Sequence, residues 1–122
     1  MHRILVIDDE DPIRANVARL LRLEGFEVVT AADGAEGIAA LHERLPDLVL
    51  CDIVMPDTNG YAVLDALRAM PGGQRVPFIF ITASAHPQER EQCLRRGASA
   101  YLAKPFNLRE VLATVRDCLG RT

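Results

Sequence analysis

The chain has 122 residues, 49% hydrophobic and 25% charged, with a formal net charge of −3. That is the make-up of one ordinary globular domain, spanning 1–122, with apolar residues enough for a core. The acidic balance and the lack of a basic stripe argue against direct nucleic-acid binding, and no apolar run approaches the ~20 residues of a membrane span.

The opening "MHRILVIDDE" has four apolar residues in a row before acid begins, too few for a signal peptide. The run "ILVI" at 4–7 reads as a strand, followed by Asp8, Asp9, Glu10 and Asp11. Asp11-Pro12 reads as an N-cap with proline at the first helical position, opening a helix whose Ile13, Val17, Leu20 and Leu21 share a face. Gly25 stops that helix. "EVVT" at 27–30 is a second strand, and Asp33 with Glu36 has capping-box spacing before a helix carrying Ile38, Leu41 and Leu45. "LVLC" at 48–51 is a third strand and delivers Asp52 at its end. Gly60 is expected to permit a special backbone conformation at the start of the next helix, which carries Val63, Leu67 and Met70. "PGGQRVP" at 71–77 reads as a loop.

"FIFI" at 78–81 is a fourth strand, ending before Thr82. Pro87 opens a helix around 87–96 whose apolar content is Cys93 and Leu94, so it is expected to be the most weakly anchored. Gly97 ends it, "AYL" at 100–102 is the fifth strand, and Lys104 follows. Asn107 with Glu110 opens a last helix with the stripe Leu108, Val111, Leu112, Val115 and Leu119. The three cysteines, Cys51, Cys93 and Cys118, show no metal-ligand spacing and read as buried thiols in a reducing cytoplasm.

Strands alternating with helices imply an α/β fold with a parallel sheet. In such a sheet chemistry belongs at the carboxyl ends of the strands. The groups placed there are acids, a hydroxyl and one amine. Four acids after the first strand would repel a phosphate and attract a cation, which sets aside a glycine-rich mononucleotide loop. Asp8, Asp9 and Asp52 are hard oxygen ligands suited to Mg²⁺, with Mn²⁺ as a substitute. The competing reading of Asp8-Asp9 is helix capping, a role that Asp11 is better placed to fill. Asp52 emerges from an apolar strand and can serve as a nucleophile toward phosphorus. Lys104 would offer a compact cation and Thr82 a hydroxyl donor to the transferred group. Lys104 is the single lysine among 14 basic residues, and a small ammonium fits beside a phosphoryl group where a planar guanidinium would crowd it.

From "ILVIDDE" through "DIVMPDTNGY" and "FIFITAS" to "GASAYLAKPF" the chain closely resembles the receiver domain of bacterial two-component response regulators. The resemblance implies a flavodoxin-like, doubly wound, five-stranded parallel sheet of order 2-1-3-4-5 within five helices. It implies that Asp52 takes a phosphoryl group from a histidine of a sensor histidine kinase or phosphotransfer protein in the cytoplasm. It also implies Mg²⁺ held by Asp9, Asp52 and the Val54 carbonyl, with Asp8 acting largely through water. Thr82 and Tyr101 would form the switch pair, Lys104 would bridge to the phosphoryl group, and the bond before Pro105 would be cis. On its residues alone, Tyr101 also reads as an edge-strand aromatic packing over the fourth helix.

The sequence departs from the family pattern at Asn59, which caps a helix as well as the usual aspartate. It also departs at Val54 and Ser84, the positions that tune phosphoryl lifetime in the family. An apolar Val54 cannot orient water, so slow self-dephosphorylation is expected. The implied function is a signalling switch read out on the fourth helix, fifth strand and fifth helix, acting on itself rather than as an enzyme on other substrates. The alternative is a phosphorylation-independent interaction module, and such modules lose an acid, the hydroxyl or the lysine. All are present here.

Overall fold

A computed structural model describes residues 1–83 and 86–120. Five strands, β1 (Arg3–Ile7), β2 (Glu27–Ala31), β3 (Leu48–Asp52), β4 (Phe78–Thr82) and β5 (Ala100–Ala103), alternate with α1 (Asp11–Leu23), α2 (Gly34–Glu43), α3 (Gly60–Arg68), α4 (Pro87–Arg95) and α5 (Leu108–Gly120). The strands form one sheet in the order β2-β1-β3-β4-β5, every pair parallel. This is the order that the family resemblance implies.

The near-continuous apolar runs have their cause in this topology. β3 and β4 lie inside the sheet, and all of their residues are buried. Alternate side chains feed two cores. Leu5, Ile7, Val49, Cys51, Phe78 and Phe80 pack with Leu41, Val63, Leu64 and Leu67 on the α2–α3 face. Ile4, Val6, Leu48, Leu50, Ile79 and Ile81 pack with Val17, Leu21, Val111 and Val115 on the α1–α5 face. Phe78 and Phe80 meet edge to face at 4.8 Å. All three cysteines are free and buried.

Helix ends follow local chemistry with two corrections. Asp33 accepts from the Glu36 amide at 2.8 Å, Asn59 from Ala62 at 3.0 Å and Asn107 from Glu110 at 2.8 Å. Gly25 and Gly97 adopt φ of 93° and 105° at their helix ends, where a Cβ would be strained. Asp11, however, is the first helical residue rather than the cap; Glu10 holds the cap position with no side-chain cap bond. The Asp11 carboxylate pairs instead with Arg14 one turn on, at 2.5 Å. Gly60 is required for space rather than for backbone freedom: its φ is not positive, but a Cβ there would collide with the Asp52 carbonyl oxygen and crowd Phe80. α3 thus starts directly against the end of β3.

Within the apolar stripes Leu94 and Leu108 are 41% and 42% exposed, so Cys93 is the one buried side chain of α4. Leu45 and Met70 lie past the ends of α2 and α3 yet still pack on the core. The 71–77 loop contains one 3-10 turn, Gly73–Arg75. Arg68 binds it down, donating to the carbonyls of Gly73, Val76 and Gly97 at 2.7, 2.8 and 2.9 Å.

Gly60→Ala forces α3 away from the end of β3. The expected cost is about 1–3 kcal/mol, the usual range for an overpacked site, read as a lower urea midpoint with an unchanged slope.

Candidate functional site

The polar side chains at the carboxyl edge are placed by the last rungs of the sheet. Beyond β1, the Asp8 amide donates to the Ala31 carbonyl at 3.1 Å; beyond β5, the Lys104 amide donates to the Thr82 carbonyl at 2.6 Å. Asp52 and Thr82 end β3 and β4 themselves. Each of these residues is therefore fixed by backbone pairing, while its side chain leaves the apolar core.

Asp8, Asp52 and Thr82 are 0%, 5% and 1% exposed, the three buried polar residues among those described. Lys104 Nζ sits among three carboxylates: 2.7 Å from Glu10 Oε1, 3.0 Å from Asp52 Oδ2 and 3.2 Å from Asp8 Oδ2. The approach to Asp8 lacks hydrogen-bond geometry, so Asp8 Oδ2 is buried without a hydrogen-bond donor. Its other oxygen accepts from the Glu10 amide at 2.9 Å, so Asp8 does part of the local backbone work expected of Asp11. Arg14 closes the same loop by donating to the Asp8 carbonyl at 2.7 Å.

Burial raises the pKa of Asp52, overcoming the ammonium of Lys104, and the charges of Asp8 and Asp9 push it the same way. Burial also raises Asp8, against the opposing pull of the Glu10 amide and Lys104. Burial alone would lower Lys104, but Glu10, Asp52 and Asp8 together carry it above its ordinary value. The site holds more negative charge than one ammonium balances.

One oxygen from each of Asp8, Glu10 and Asp52 lies within 4.8 Å of the others. Hard oxygens in such a set, one of them buried and short of a donor, fit a small divalent cation. Asp9 is exposed and lines the cleft over Asp52 with Glu10, Val54, Thr82, Ala83 and Lys104, but it lies outside that closest trio. Val54 is 73% exposed at the cleft mouth. Ser84 lies outside the described residues. The Lys104–Pro105 bond is cis.

Tyr101 stands opposite Phe80, and Thr82 opposite Ala103, so Tyr101 and Thr82 are diagonal neighbours on one face of the sheet. Tyr101 packs against the α2–α3 core, and its hydroxyl donates to Glu89 Oε1 on α4 at 3.1 Å. Burial first, then that acid, push its pKa up to about 12. Both readings of Tyr101 are thus compatible with its place.

Two residues of the site were not singled out from sequence. Glu10 was one acid in a run of four, and its reach to Lys104 crosses 94 residues of sequence. Asp57 accepts from the Gly34 and Ala35 amides at 3.2 and 3.0 Å, pinning the loop after Asp52 to the start of α2. Burial opposes that charge, but the amides of Ala35, Gly34 and Thr58 outweigh it and hold Asp57 below its ordinary pKa. Capping of this kind has no local signature, because the helix it serves lies 23 residues away.

The raised Asp52 carries a sign that can be measured. A carboxyl group that binds its proton more tightly when folded favours the fold below its unfolded pKa, and that contribution is lost as pH rises through the folded value. At pH 7 in chelator, Asp52→Asn is therefore expected to raise the melting temperature. The gain should vanish toward about pH 4, near the unfolded pKa, and shrink when Mg²⁺ is added to both proteins. Calorimetry across pH checks it, and a melting temperature lowered by Asp52→Asn at pH 7 would contradict it.

The sequence matches the profile of the response regulator receiver domain over residues 4–116. Over 119 residues it is 44% identical to the transcriptional regulatory protein PrrA of Mycobacterium tuberculosis, covering 98% of this chain and 50% of that protein. It is 38% identical over 122 residues to the transcriptional regulatory protein CpxR of Escherichia coli K12, covering 100% of this chain and 51% of that one. The chain spans about half the length of the curated relatives it matches. Among solved structures, the chemotaxis protein CheY4 of Vibrio cholerae superposes with a TM-score of 0.91 at 31% identity, covering 97% of this chain and 98% of that one. The receiver domain of sensor histidine kinase PA1611 from Pseudomonas aeruginosa, solved with a magnesium ion in its active-site cleft, gives 0.88 at 33% identity, covering 98% of each chain. With its sheet order, its acidic edge and its profile in agreement, the chain belongs to the response regulator receiver domain family.

Proposed function

We propose that this chain is a phosphorylation-controlled switch in which Asp52 is the phosphoacceptor. The observation that carries the reading is the ammonium of Lys104 at 3.0 Å from Asp52 Oδ2, over a carboxylate backed by the apolar sheet. An oxygen of Asp52 attacks phosphorus as the bond to the donor histidine breaks. The bonding pair returns to the imidazole nitrogen, which takes a proton, and an acyl phosphate forms on Asp52. Negative charge spread over the phosphoryl oxygens needs cations and donors rather than a general base. Lys104 supplies the fixed cation and the Thr82 hydroxyl a hydrogen bond. Asp8, Asp9, Asp52 and the Val54 carbonyl would hold Mg²⁺, or Mn²⁺, which when bound neutralises part of the transferred charge.

The donor would be a histidine on a cytoplasmic sensor kinase or phosphotransfer protein. Among the described residues no helix is long and apolar enough to cross a membrane. PrrA and CpxR are transcriptional regulatory proteins, so control of transcription through a module outside these 122 residues is the output the reading favours. The signal would leave through α4, β5 and α5, as Thr82 turns toward the phosphoryl group and Tyr101 gives up Glu89. A phosphorylation-independent module would not need the acids, hydroxyl and amine that meet at this edge. Nor does the reading make the chain an enzyme on other substrates, because Val54 stands where an acid would be needed to serve water.

Intact-mass spectrometry after incubation with acetyl phosphate tests the core of this. A single phosphoryl adduct that requires both Mg²⁺ and Asp52, and is absent in Asp52→Asn, is expected; its absence where a control receiver is modified would sink the reading. For the lifetime, Val54→Asn should hasten loss of the phosphoryl group by giving water a hydrogen-bonding partner. Equal decay of the two proteins would remove Val54 from that role.

A further inference from the structure

Of the three carboxylates on Lys104, the closest is also the most exposed. Glu10 Oε1 lies 2.7 Å from Nζ with its side chain 53% accessible, whereas the side chains of Asp52 and Asp8 are 7% and 1% accessible. Asp8 and Asp52 are held at the ends of paired strands. Glu10 stands at the cap position of α1 with no cap bond to make, so its side chain is bound to neither strand nor helix. It is the partner that can leave into water without exposing the core.

We infer that Glu10 is a positioning residue for Lys104: it holds the ammonium over Asp52 in the unphosphorylated protein and releases it when the phosphoryl group arrives. This inference rests on the phosphoacceptor reading above. An ammonium has three hydrogens to donate. Glu10 and Asp52 take two of them and Asp8 Oδ2 holds the ammonium by charge at 3.2 Å, so a phosphoryl group growing outward from Asp52 draws Nζ along with it only by stretching one of these contacts. Asp52 becomes the acyl phosphate and Asp8 stays behind it, which leaves Glu10. The pair also ties the loop after β1 to the loop after β5, so its release loosens the junction between β5 and α5 at the moment of phosphorylation. Glu10 thus favours the unmodified state, by the small amount typical of an exposed ion pair.

Lys104 is the chain's single lysine, so lysine labelled with ¹³C at Cε gives one side-chain signal and an unambiguous probe. In unphosphorylated protein, Glu10→Gln should shift that signal and lower its order parameter. After acetyl phosphate and Mg²⁺, the signals of wild type and variant should coincide. At saturating Mg²⁺ the variant should reach a ratio of phosphorylated to free protein about two- to fivefold higher, the range an exposed pair can supply. Glu10→Asp, one methylene shorter, should sit between the two. A Lys104 signal indifferent to Glu10→Gln before phosphorylation would overturn the inference even with the phosphoacceptor chemistry intact. So would a tenfold or greater loss of Mg²⁺ affinity by calorimetric titration, which would make Glu10 a metal ligand instead. Failure of the parent reading is a separate result, because it appears as no Asp52-dependent adduct in wild type.

Discussion

Everything at the carboxyl edge depends on one imbalance: buried carboxylates and a single ammonium. Asp8 and Asp52 sit where the sheet gives them almost no water, and among the described residues Lys104 is the cation that pairs with them. Burial raises both acids despite the amine, so the edge is held in an electrostatically unfavourable arrangement. A small divalent cation held at this edge would relieve it. The apolar strands maintain the imbalance, since they bury the backbone that carries the acids and leave the chain no way to withdraw them. Fold and chemistry are joined at this point.

The fold was legible because its signals are local or periodic. Branched apolar runs marked the strands, and alternation then divided each strand between two cores. Asp33, Asn59 and Asn107 are caps to amides three residues on, within reach of any short-range rule. Asp11 failed the same rule because Arg14 competes for its carboxylate, while the chain at Asp8 turns so that Asp8 accepts the Glu10 amide. Gly60 was noticed for the wrong reason. Sequence shows that a glycine is present, but the obstacle that requires it is the Asp52 carbonyl, which only the packed structure brings near.

The site was legible to a similar depth. Strand-end positions predicted that Asp8, Asp52, Thr82 and Lys104 would meet, since each follows an apolar run and parallel strands end together. Glu10 and Asp57 were hidden because their partners are set by tertiary closure. Glu10 reaches across the cleft from β1 to β5, and Asp57 reaches back to a helix that precedes it in the chain. An acid in a run of acids has no distinguishing pattern. Its role comes from which cation the fold brings within 3 Å.

The weak fourth helix completes the argument. α4 buries one side chain, Cys93, where α1, α3 and α5 each bury three. Two tyrosines add polar contacts to it. Tyr61 on α3 meets Cys93 Sγ at 3.6 Å and carries the Arg96 guanidinium at 4.2 Å from its ring centre. Tyr101 on β5 binds Glu89 at 3.1 Å. A buried leucine contributes about 1.5–3 kcal/mol, whereas an exposed cation–π contact contributes about 0.5–1 kcal/mol. α4 is therefore a helix whose position costs little to change, and one of these tethers is a ring that neighbours Thr82 on the sheet. On the proposed reading, a Thr82 hydroxyl drawn toward a phosphoryl group and a helix held by polar tips one strand away would form a short mechanical path. The sparse apolar stripe that reads as poor anchoring in the sequence is what would leave α4 free to answer such a signal.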